Sequence, residues 1–227
     1  MKNITVELTL PEKVLLLAFH DQKGTVIFNA SHALPHGLAG AALMELTFRE
    51  CLSVVNKNIV VADDRETGDP LLDDVLRLIR ESARPRSPKY WVARIYMKFS
   101  DIKKRVARQL VEKGILRDDE QRFLHFFATH RYPMIDNRHE TLVRQQLHAV
   151  VLNNAPADAE TMALLSLVKA CGLVEEVFAK PERRLAKQRI RMLISDDPVG
   201  DAVSESVQAA VVATVTGAIT ANTVIHS

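Results

Sequence analysis

Two cysteines in 227 residues, Cys51 and Cys171, are too few for a disulfide framework. They lie far apart in sequence in apolar helical surroundings, and they read as buried free thiols. No apolar run is long enough to cross a bilayer. Val14–Phe19 is short and follows Glu12-Lys13, which also removes a signal-peptide pattern, and Val207–Ile219 is broken by Gln208, Thr214, Thr216 and Gly217. Missing too are a GxSxG turn, a phosphate-cradling glycine loop, an HExxH helix and a cysteine in a nucleophile context. His32 and His36 are four apart, but Pro35 between them argues against a regular helix with both on one face. His139-Glu140 lacks a second histidine at ligand spacing. A net charge of +2 names no partner. These absences point away from an enzyme, a bound cofactor, a metal centre and a membrane-spanning protein.

What is present is enough apolar material, 47% of residues, to bury a substantial core. Thr9-Leu10-Pro11-Glu12 opens a helix, with Thr9 as cap, Pro11 in the first turn and Glu12 at the positive end of the dipole. The nearly continuous run Val14–Phe19 makes that helix buried on most sides. Thr25–Phe28 reads as a short β run, and a second helix begins at Gly37, its small residues permitting close packing. Cys51–Ala62 reads as a strand pair around Asn56-Lys57-Asn58. Asp69-Pro70 caps and starts a third helix with Leu71, Leu72, Val75, Leu76 and Ile79 inward. Arg84–Pro88 is linker-like, and another helix begins at Trp91. Further helices are expected at Arg138–Leu152, Ala157–Cys171, Arg183–Ile194 and Val199–Val215. With no internal repeat or low-complexity tract, the expected architecture is mainly α: a single domain over residues 1–227 with a protruding β-hairpin and one or two short strand pairs.

The cations are unevenly spread. Between Arg77 and Arg117 only Glu81, Asp101 and Glu112 oppose a long series of lysines and arginines. Within it lies the basic helix Ile102–Lys113, stopped by Gly114. Ile102, Val106 and Leu110 form its buried stripe, and Asp101 with Arg105 and Arg108 with Glu112 are spaced to pair on the solvated side. Lys103 and Lys104 have no such partner, which makes those two the best phosphate contacts on charge grounds. A polar patch from Arg117 to Arg122 then precedes an apolar hairpin, Phe123–Pro133. Phe123, Leu124, Phe126, Phe127, Tyr132 and Met134 are more than one buried hairpin face needs, and with Pro133 they suit a membrane or subunit contact. Acidic residues at 63, 64, 66, 69, 73 and 74 could gather a cation, but Asp69, Asp73 and Asp74 stand where a helix start wants negative charge.

Three readings stay open. A basic helix beside exposed aromatics fits an anionic phospholipid surface. The same helix and hairpin have the cadence of a winged-helix DNA-binding domain, although the hairpin tip carries few cations for phosphate backbones. The hairpin could also build a homo-oligomer with no lipid involved.

Six segments, in order, resemble the Golgi phosphoprotein 3 family: LTLPEKVLLLAFHDQKG (Leu8–Gly24), GLAGAALMELTFR (Gly37–Arg49), TGDPLLDDVL (Thr67–Leu76), RVARQLVEKGIL (Arg105–Leu116), FLHFFATHRYP (Phe123–Pro133) and RLAKQRIRMLISDDP (Arg184–Pro198). The resemblance implies a non-enzymatic adaptor, cytoplasmic and peripheral to a membrane, with a mainly helical fold and a protruding hairpin. Eukaryotic members bind phosphatidylinositol 4-phosphate at the Golgi and help retain glycosyltransferases through coatomer. Their lipid pocket uses a tryptophan, a GLRG-type arginine and two basic residues three apart. Those positions fall here on Asn29, Ala39, Ser100 and Lys103, so only Lys103 keeps its type. A charge-assisted contact contributes about 1.5–3 kcal/mol, so loss of two cations weakens such a pocket by several orders of magnitude. The short stretch before the first match looks like that of a prokaryotic member, for which Golgi residence and coatomer binding do not carry over. The expected ligand is an anionic phospholipid held near Asn29, Lys98, Lys103 and Lys104, with the hairpin inserting or pairing with another subunit.

Overall fold

The helix expected after Thr9 is α1, Leu10–Ala18, and its start is fixed by Glu12, whose carboxylate accepts the Thr9 N–H at 2.7 Å and the Thr9 hydroxyl at 3.2 Å. A computed structural model describes residues 6–19, 25–27, 30–123 and 127–195, and side chains within these except 120–130 and 195. Leu10 and Val14–Ala18 are wholly shut off from solvent, because later helices close around α1 on several sides. Of the β run expected after it, the described residues 25–27 hold a bridge: Phe19 pairs with Val26, and Ile27 donates its N–H to Ala18 O at 2.9 Å, while Phe28 lies outside the described residues.

The next helix, α2, runs Leu34–Phe48. It starts before Gly37, and His36 is helical after all, because Pro35 occupies the first turn, where its missing N–H costs nothing. Ala39, Gly40, Ala41 and Ala42 let α1, α4 (Pro88–Lys98) and α7 (Ala159–Ala170) approach closely. A tight approach is at Gly37, where a Cβ would overlap Cys171 Sγ. Both cysteines are buried and free, and burial pushes the Cys171 thiol up to about 12.

Strands β1 (Leu52–Val55) and β2 (Asn58–Val61) form the expected hairpin, closed by Asn56 and Lys57 at φ 50° and 62°. Then α3 spans Pro70–Arg80, with Asp69 Oδ1 accepting from Leu71 N and Leu72 N. Residues 84–87 connect to α4, which begins three residues before Trp91 because Ser87 caps it and Pro88 takes the first turn. The basic helix is α5, Ile102–Glu112. Gly114 at φ 70° ends it in a Schellman turn: Gly114 N–H reaches Val111 O at 2.9 Å and Ile115 N–H reaches Leu110 O at 2.9 Å.

The second hairpin begins earlier than its apolar residues indicate. β3 is Asp119–Phe123, inside the polar patch, and it pairs with β4, Phe127–Arg131, from Asp119↔Arg131 to Phe123↔Phe127. Backbone pairing sets that register, and Leu124 and Phe126 lie outside the described residues. Helix α6 (Arg138–Asn153), α7, the single turn α8 (Val174–Val177) and α9 (Arg183–Ser195) complete the described chain, while the helix expected at Val199–Val215 falls outside it. Arg189 of α9 donates to Val151 O at 3.1 Å, Leu152 O at 3.3 Å and Asn154 Oδ1 at 2.5 Å, holding the end of α6. The architecture is mainly α, with two antiparallel two-stranded hairpins among the described residues. The buried residues of all these helices join in one hydrophobic cluster.

Candidate functional site

One side of α5 is consumed by the fold. Ile102, Val106, Ala107 and Leu110 are buried. Arg105 does not pair with Asp101 as its spacing suggests: it donates to Asp74 of α3 at 2.6 Å and to Pro70 O at 3.0 Å. Lys113 reaches back to Glu12 at 2.6 Å, the carboxylate that starts α1. A helix entering a DNA groove presents its cations outward. Here two of them are tied to carboxylates on other helices.

Lys103 is exposed and makes no ion pair among the described residues. Lys104 is half-buried and already has a partner, so it is less available than its sequence position indicates. Just upstream, the outer side of α4 presents Lys89, Tyr90, Arg94, Met97 and Lys98, with Tyr90 41% and Met97 71% exposed. Tyr90, Arg94 and Lys98 recur every four residues and so line one stripe that leads to Lys103. The four-residue spacing was visible in the sequence; the exposure of Tyr90 and Met97 was not. Mixed cations and large apolar side chains along one helix can hold phosphates while covering acyl chains.

The other expected site residues scatter. Asn29 lies outside the described residues, and Ala39 is wholly buried in α2. Ser100 is exposed beside Lys103. Of the hairpin residues, Phe123 and Phe127 form the last rung of the β3–β4 ladder. Pro133 is half-buried, its carbonyl accepting Arg117 N at 3.0 Å. Tyr132 is a correction. It is 5% exposed, its ring 6.0 Å from Phe19, and it belongs to the core rather than to a contact surface.

A second place is a polar cavity of about 870 Å³ between the starts of α1 and α3 and the ends of α2 and α5. Two of its acids, Glu45 and Asp69, are structural. Glu45 Oε2 accepts Leu10 N at 2.8 Å, and its Oε1 accepts Arg49 Nε at 2.8 Å. Asp69 caps α3 and accepts Gln109 Nε2 at 2.8 Å. Nearby, Asp73 Oδ1 takes both the N–H and the hydroxyl of Thr67 at 2.7 Å, and Asp74 pairs with Arg77 and Arg105. Asp69, Asp73 and Asp74 of the acidic cluster noted in the sequence are thus spent on the start of α3 and on arginines. No group of three or more metal-ligating side chains is gathered among the described residues.

No helix among the described residues is long and apolar enough to cross a membrane. The family model described as Golgi phosphoprotein 3 (GPP34) matches residues 10–210. A vacuolar protein sorting-associated protein 74 from Schizosaccharomyces pombe (strain 972) is 29% identical over an alignment of 226 positions. That alignment takes in 83% of this chain and 66% of the relative, so the chain spans somewhat under two thirds of that protein's length. With a match running from the first helix through the last described one, the chain belongs to the Golgi phosphoprotein 3 family.

Proposed function

We propose that this chain is a non-enzymatic adaptor that docks reversibly on anionic phospholipid, peripheral to the membrane, and that residues 1–227 act as one domain. The carrying observation is the outer stripe of α4, where Arg94 and Lys98 stand unpaired among the described residues, beside exposed Met97, and lead into Lys103. Lys98 and Lys103 hold phosphates, Lys104 adds charge from a more sheltered position, and the β3–β4 tip is a further contact. With Ala39 buried and Ser100 neutral, the surface senses charge density rather than one head group. Adaptor membership in this family supports the reading, and the lipid and the protein client are inferences from the surface.

The test is co-sedimentation with phosphatidylcholine vesicles, alone or containing phosphatidylserine, cardiolipin or phosphatidylinositol 4-phosphate, at low and high salt. Each basic residue near an anionic surface contributes about 1 kcal/mol, so Lys98→Glu with Lys103→Glu is expected to weaken binding at least about thirtyfold. High salt should release the wild type. Equal binding by the double variant and the wild type would refute the assigned surface.

A further inference from the structure

Residues 51–62 and 82–100 contain no acidic side chain, and the fold sets these stretches side by side. Ile59 N–H of β2 donates to Arg86 O at 2.8 Å, so the segment before α4 runs along the hairpin as a further rung. Across the ladder from Ile59 stands Val54, and on the other side the Arg86 guanidinium lies 4.9 Å from the centroid of the Tyr90 ring. One row therefore leads from the β1–β2 tip to the start of α4. At that tip Val54 is 53% and Val55 49% exposed, next to Lys57. Arg84, Lys89 and Arg94 are exposed nearby on the same acid-free stretch.

We propose that the β1–β2 tip and the N-terminal half of α4 form a second contact with an anionic phospholipid surface, so that the chain lies on the membrane along α4 rather than touching it only at Lys98 and Lys103. This rests on the membrane reading above. Two features select lipid as the occupant. Successive residues of a strand point to opposite faces, so a rigid partner laid on one face of the hairpin covers only one valine. Entry of the tip into a fluid interface covers both, with Lys57 at the turn bending its long stem back so that its ammonium reaches the phosphates, and Arg84 and Arg86 left at phosphate level. A second copy joined edge to edge through β1 would instead set these cations near their own images along a ladder only four residues long.

The experiment uses the full chain with phosphatidylcholine vesicles containing phosphatidylserine. Val54→Asp with Val55→Asp changes exposed side chains only, and thermal melting checks that the fold persists. Vesicle affinity is expected to fall about tenfold while Lys98 and Lys103 still hold part of the binding. Val55→Trp should bind more tightly, and its fluorescence should shift to the blue on adding vesicles, against the constant signal of Trp91, which is 2% exposed. Wild-type binding with neither the loss nor the blue shift would overturn the second contact alone. Failure of the wild type to bind any anionic vesicle would overturn it together with the membrane reading. Loss of self-association in Val54→Asp/Val55→Asp with unchanged vesicle binding would overturn it in favour of an interface between copies.

Discussion

Gly37 and Cys171 allow a change of sign to be forecast from geometry. Alanine at position 37 has two favourable effects. It improves helix propensity within α2 by about 1 kcal/mol, and it buries a methyl group for about 0.8 kcal/mol more. Against these stands the sulfur of Cys171, which the new Cβ would overlap. Cys171 is completely buried at the end of α7, its N–H bonded to Leu167 O at 2.8 Å, so the sulfur has little room to turn away. Overpacking of a tight helix contact costs about 1–3 kcal/mol, and an off-rotamer sulfur adds about 1 kcal/mol. Gly37→Ala alone should therefore destabilise by up to about 2 kcal/mol. Cys171→Ala removes the sulfur and keeps the β-carbon of that residue, which lies 3.9 Å from where a methyl at position 37 would stand, an ordinary contact distance. In that background Gly37→Ala should stabilise by about 2 kcal/mol. Urea unfolding of the four proteins closes a double-mutant cycle with a coupling of about 2–4 kcal/mol. If Gly37→Ala shifts stability equally with and without the sulfur, the packing account is wrong.

Lys113→Met should cost about 3 kcal/mol, because it leaves the Glu12 carboxylate, with its side chain 1% exposed, buried without its cation. Adding Glu12→Gln should recover part of that loss, as read by urea unfolding. His36 supplies a pH signature: it is 2% exposed, stacked on Tyr96 at 4.1 Å, and burial holds its imidazole below the usual 6.5. The unfolded chain then takes up this proton first, so stability is full above pH 6.5 and declines as the pH falls toward the lowered folded value. Unfolding midpoints of the wild type and His36→Gln between about pH 7.5 and 5 should converge as the pH drops, and parallel curves would remove His36 as the cause.

Local chemistry made much of this fold legible. Thr9, Asp69 and Gly114 mark helix ends through short-range hydrogen bonds, and the apolar spacing of α3 and α5 named their buried faces. Misreadings came where backbone pairing or distant partners decide. β3 runs through Asp119–Phe123, mostly polar residues whose strand state rests on the ladder with β4. Proline at 35 and 88 signalled breaks but sits in first turns, where it starts helices. Arg105 takes Asp74, 31 residues away, over the nearer Asp101, and no spacing rule reports that. At the candidate surface, Lys103 was legible as unpaired charge, whereas the sheltering of Lys104 and the burial of Tyr132 depend on the packed whole.

The position of α1 in the core also bears on how the chain is made. It leaves the ribosome ahead of every helix that shields it, carrying the uninterrupted stretch Val14–Ala18. α2, α5, α6, α7 and α8 all pack on it, and the last of these ends at Val177. At ordinary rates of synthesis the covering helices arrive over roughly ten to thirty seconds. For that interval the nascent chain displays the apolar stretch of α1 uncovered, and lasting burial of α1 comes only once α8 has been made.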